Sequence, residues 1–108
     1  MERDGGSVPY RRSARIQARI PVTLSGTLAD GKPFKEETYV ITVSKFGCRL
    51  KTEIPLKVGA QVKLQPRNRG DSAPFRVVWV GRRDTSRSGE IGVEYIKLSS
   101  LLGVSFPG

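Results

Sequence analysis

A chain of 108 residues carries 19 Lys and Arg against 10 Asp and Glu, a net charge of +9, with one Cys and no His. That length supports one domain with a modest core, and the lone Cys48 excludes an internal disulfide. Without His, and with a single Cys, thiolate or imidazole zinc sites and His-assisted nucleophiles are excluded.

Residues 1–9 are charged and glycine-rich without apolar periodicity, which predicts a flexible tail ahead of one domain over 10–108. Residues 10–19 hold Arg11, Arg12, Arg15 and Arg19 and precede Pro21, so a basic loop or short turn is expected there. Val22, Leu24 and Leu28 alternate with Thr23, Ser25 and Thr27, a first strand whose Gly26 is expected to mark a bulge or bend. Residues 29–33 form a turn. A second strand over 34–43 places Tyr39, Ile41 and Val43 on one face, and a third over 47–52 places Cys48, Leu50 and Thr52 there. Between them, Ser44 can bond nearby backbone, and Gly47 can take a positive φ.

A connection through 54–59 leads to a fourth strand over 60–65 with Val62 and Leu64 inward. After a polar loop, residues 75–80 form a fifth strand, apolar on both faces at its end, as in a central or covered strand. Its Trp79 is in phase with the core, which makes packing one role for it and guanine stacking the other. A charged turn over 81–89 precedes a sixth strand carrying Ile91, Val93 and Tyr95. Residues 98–103 are read as a short helical turn capping the end. Six short strands with many turns predict a small all-β antiparallel barrel over about 20–97.

The longest apolar runs, such as Val77 to Val80, fall far short of the roughly 20 residues that span a bilayer. The first seven residues lack the apolar stretch of a signal peptide, so a cytoplasmic location is expected. The acids Asp30, Glu36, Glu37, Glu53, Asp71, Asp84, Glu90 and Glu94 lie mainly in turns or at polar strand positions, and no pair is placed for general acid–base work. No phosphate-cradling glycine loop of the nucleotide-hydrolase type is present. These absences predict a binding protein and not an enzyme.

Two separated motifs then fall together. Arg11-Arg12-Ser13-Ala14-Arg15 is an Arg-x-x-x-Arg just before the first strand, and Thr42-Val43-Ser44-Lys45-Phe46-Gly47 is an x-x-Ser-x-x-Gly turn. The pair resembles the PilZ domain family, bacterial receptors for cyclic di-GMP built on a six-stranded barrel. The resemblance continues through Leu56 to Val62, Val77 to Val80 and Ile91 to Tyr95. It implies cyclic di-GMP as ligand, no cofactor or metal, and an output passed to a downstream protein partner. The implied ligand residues are Arg11, Arg12, Arg15, Thr42, Ser44 and Gly47, with Trp79 as a stacking candidate. Arginine forks suit guanine O6 and N7 or phosphate.

Thr42 departs from the family's Asp or Asn. A carboxylate accepts two bonds from guanine N1–H and N2–H₂, whereas a threonine hydroxyl accepts one. The difference is about 1–3 kcal/mol, or about 5- to 150-fold in affinity. Two other readings stand beside the receptor: a PilZ domain without nucleotide that serves as a protein-interaction module, and a nucleic-acid-binding barrel. The last requires three or more exposed aromatics on one face.

Overall fold

The computed structural model describes residues 15–97, which form a closed barrel. Its strands are β1 (Ile16–Thr27), β2 (Pro33–Val43), β3 (Gly47–Lys51), β4 (Gln61–Pro66), β5 (Ala73–Val80) and β6 (Glu90–Tyr95). Around the barrel they run β1-β2-β3-β6-β5-β4, every neighbouring pair antiparallel, and β4 returns to β1 to close it. Closure gives every strand a partner on each side over part of its length, so each strand needs an apolar face only toward the interior.

That interior is filled by Val22 and Leu24 of β1, Val40 and Val43 of β2, Cys48 and Leu50 of β3, and Val62 and Leu64 of β4. Phe75 and Val77 of β5 and Ile91 and Val93 of β6 complete it. The Phe75 and Tyr95 rings meet at 4.4 Å between centroids. Leu56, from the connection after β3, is buried against this core with Ile54 beside it. No helix among the described residues is long and apolar enough to cross a membrane.

Three irregularities shape the outer surface. Between Gln17 and Ile20, β1 carries one residue more than β2; between Val40 and Thr42, β2 carries one more than β3; between Val77 and Trp79, β5 carries one more than β6. Each extra residue shifts the side chains beyond it to the opposite face.

These bulges correct several expectations. Tyr39, Ile41 and Val43 do not share the inner face: Val40 and Val43 are buried, while Tyr39 and Ile41 are half-buried. The bulge at Ile41 lets both Val40 and Val43 point inward. Trp79 is not a core aromatic, because the bulge at Val78 turns it outward opposite Gly92, and it is 38% exposed. Although β5 lies between two strands, Val78, Trp79 and Val80 are all exposed.

Gly26 sits in unbroken register and marks no bulge. A Cβ there would come within 3.1 Å of the Phe34 ring, so the missing side chain makes room for that ring. The basic segment is not all loop either, since β1 begins at Ile16, with Ile16 opposite Val43 and Gln17 opposite Thr42. Pro21 is tolerated because it lies just outside the stretch of β1 that pairs on both sides, Val22 to Gly26. The expected tail over 1–9 and the helical turn over 98–103 lie outside the described residues.

Candidate functional site

The outer faces of β2, β3, β6 and β5 form one continuous wall. Thr42 stands opposite Arg49, Arg49 opposite Gly92, Gly47 opposite Glu94, and Gly92 opposite Trp79. Gly92 carries no side chain, and Trp79 packs over it, 3.4 Å from where a Cβ would stand. The wall carries a groove of about 450 Å³ lined by Arg15, Thr42, Ser44, Gly47, Arg49, Trp79, Arg87 and Glu94, among others.

Register brings the two sequence motifs together. The start of β1 pairs with the end of β2, so the residue before Ile16 is carried beside the turn that follows Val43. Arg15 and Ser44 therefore line the same groove, although 28 positions separate them in sequence. Arg19, four residues on, is directed elsewhere: its guanidinium lies over the Tyr39 ring, 4.0 Å from the centroid.

The turn between β2 and β3 is held by its own atoms. The Ser44 N–H donates to the Gly47 carbonyl at 2.8 Å, and the Ser44 hydroxyl accepts from the Phe46 N–H at 3.3 Å. That hydroxyl also lies 3.4 Å from the Gly47 carbonyl as a long donor. The Tyr95 N–H donates to the Phe46 carbonyl at 2.9 Å, which ties the turn to β6.

Gly47 is required for a different reason from the one its turn position indicates. Positive φ occurs at Gly31, Gly59 and Gly89, and Gly47 is not among them. A Cβ at Gly47 would be driven into the Val93 carbonyl and would sit 2.8 Å from the Glu94 Cα. Close approach of β3 to β6 is what excludes a side chain there.

Of the ligand residues expected from sequence, Arg15, Thr42, Ser44, Gly47 and Trp79 meet at this groove. Arg11 and Arg12 lie outside the described residues. Thr42 is only 6% exposed, so little more than its outer edge faces the groove. Sequence reasoning missed Arg49, Arg87 and Glu94 as groove residues. Their signal was weak: single charges in a strand or a charged turn, placed together only by the pairing of β3 with β6.

Cys48 also borders the groove but belongs to the core, and burial pushes its thiol up to about 12. It is therefore a neutral thiol at ordinary pH, not a nucleophile. Among the described residues, no cluster of three or more His, Cys, Asp or Glu could hold a metal ion. Of the described aromatics, Trp79 alone is exposed, with Phe34, Tyr39, Phe46 and Tyr95 half-buried and Phe75 buried. A row of base-stacking platforms is therefore lacking among them, which weighs against the nucleic-acid reading.

No curated protein matches the chain in sequence. The barrel is similar to one solved as "Structure of Bacillus subtilis Inhibitor of motility (MotI/DgrA)", with a TM-score of 0.64 and 15% identity. The match covers 89% of this chain and 49% of that one, so the chain spans about half the length of that protein. The sequence matches the PilZ domain model over residues 9–102, and with that span on a six-stranded closed barrel, the chain belongs to the PilZ domain family.

Proposed function

We propose that the groove on the outer face of β2, β3, β6 and β5 is a receptor site for cyclic di-GMP. The observation that carries this reading is the convergence of Arg15, Thr42, Ser44, Gly47 and Trp79 on one groove. The exposed part of the Trp79 indole offers a purine ring a face to stack on. Arg15 supplies a planar fork for guanine O6 and N7 or for a phosphate, with Arg11 and Arg12 as further contacts from the same motif. Ser44 and the backbone of its turn supply short polar contacts. The site has no catalytic role; its output is an altered surface presented to a partner protein in the cytoplasm.

Titration calorimetry with cyclic di-GMP tests this on the wild type and Arg15→Ala, with circular dichroism as the control for folding. Losing a charge-assisted fork costs about 1.5–3 kcal/mol, so affinity falls about 10- to 150-fold. Equal affinity in the two proteins would contradict the assignment. Thr42, in place of a carboxylate or carboxamide, supports a second reading in which the domain has given up the nucleotide and serves as an interaction module. A wild type that binds no cyclic di-GMP is the outcome that reading expects.

A further inference from the structure

Glu90 opens β6 on the outer face of the barrel, yet its side chain is only 9% exposed. Three cations close around it. Arg49 Nε lies 3.1 Å from Oε1, Lys51 Nζ 3.5 Å from Oε2, and Arg87 Nη1 3.7 Å from Oε1. Arg49 and Lys51 stand on β3, with Lys51 directly opposite Glu90 in the ladder. Arg87 comes from the loop over 81–89, and that loop is tightly held. The Gly81 N–H donates to the Glu90 carbonyl at 2.8 Å, and the Glu90 N–H donates to the Arg87 carbonyl at 3.1 Å. The Arg87 N–H donates to the Thr85 hydroxyl at 3.2 Å. A Cβ on Gly81 would run into the Arg87 carbonyl, so the glycine lets the loop close this far.

The cluster is charge-matched poorly and bonded incompletely. Three cations face one carboxylate. Arg49 Nε and Glu90 Oε1 are both buried, and neither makes a hydrogen bond, although they lie 3.1 Å apart. The charges meet, but the Nε–H does not point at the oxygen. A buried ion pair offsets its desolvation only when its hydrogen bonds are also made. Arg49 and Arg87 line the groove as well, and Thr42 faces Arg49 across the β2–β3 ladder.

We infer that Arg49 and Arg87 are the phosphate-binding pair of this groove, held by Glu90 until a phosphodiester enters and draws their guanidinium N–H groups away from it. The inference rests on the groove being the cyclic di-GMP site. It adds two ligand residues outside the motifs that identified the groove, and an internal anion that competes with the ligand. A phosphate oxygen accepts from a guanidinium at least as well as a carboxylate does. The excess positive charge around Glu90 is what the ligand neutralises.

The test is calorimetry with cyclic di-GMP on the wild type, Arg15→Ala, Arg49→Ala, Arg87→Ala, Glu90→Gln and Lys63→Ala, each checked by circular dichroism. Lys63 is an exposed cation in a separate groove between β1, β2 and β4, and it controls for bulk charge. Arg49→Ala and Arg87→Ala should each weaken binding about fivefold or more, and Glu90→Gln should tighten it severalfold by freeing both guanidinium groups. Lys63→Ala should leave affinity unchanged. If Arg15→Ala weakens binding while Arg87→Ala does not, the inference falls and the groove assignment stands. Equal weakening by Lys63→Ala and Arg87→Ala, or no gain in Glu90→Gln, overturns it as well. A wild type that does not bind cyclic di-GMP removes the groove assignment and the inference with it.

Discussion

If the groove is the proposed cyclic di-GMP site, Thr42 limits what it can read in a guanine. Its hydroxyl offers one acceptor where a carboxylate offers two, and it lies 6% exposed opposite Arg49. Thr42→Asp restores the second acceptor, with Arg15 and Arg49 lining the same groove to offset the new charge. The expected gain in cyclic di-GMP affinity is about 1 kcal/mol, roughly fivefold, by calorimetry. An unchanged affinity would mean that this position does not face the base.

Cys48 sets a second expectation at the same scale. Its thiol ionises near 12 in the folded protein against an ordinary 9.0, because burial disfavours the thiolate. As pH rises from 9 toward 12 the unfolded chain loses this proton first, so folding stability declines, by up to about 1.4 kcal/mol per pH unit. Below that window the residue contributes no pH dependence. Urea unfolding at about pH 8, 9, 10 and 11 should show a shallower alkaline decline in Cys48→Ala than in the wild type. Identical slopes would contradict the burial of the thiol.

Among the elements, β1 makes the site possible. Its first residues pair only with β2, and that single-sided ladder carries Arg15 to Ser44. Gln17→Pro removes a backbone donor opposite Thr42, in the stretch of β1 that pairs on one side only. The two-sided core stretch, Val22 to Gly26, is untouched. Cyclic di-GMP affinity should fall about fivefold or more while the urea midpoint changes little; unchanged affinity would show that this pairing does not place Arg15. The strands themselves were legible wherever alternation ran unbroken, as at Val62 and Leu64, Cys48 and Leu50, or Ile91 and Val93. The faces of Tyr39, Ile41 and Trp79 were not, because one extra residue at Ile41 or Val78 reverses the side of everything beyond it. A bulge of that kind leaves no mark in apolar periodicity. The same limit hid the Arg49, Arg87 and Glu90 cluster, which exists only through the register of β3 on β6 and the closure of the 81–89 loop.

At the scale of the whole molecule, the barrel interior is packed with apolar side chains and the outer wall carries the groove. The net charge of +9 draws anions of every kind to such a surface, so charge alone cannot make it selective. On the proposed reading, selectivity comes from the forked arginines and the indole at the edge of the groove. Trp79 is the only tryptophan in the chain and lines the groove, so its fluorescence reports on that place. The decisive measurement is a titration of Trp79 emission with cyclic di-GMP beside a short single-stranded DNA of equal charge, at moderate salt, in the wild type and Arg15→Ala. A saturable change with cyclic di-GMP, weaker with DNA and lost in Arg15→Ala at the same concentrations, is the expected result. No saturable change in the wild type, or the same response to both ligands, would contradict the groove as a cyclic di-GMP site.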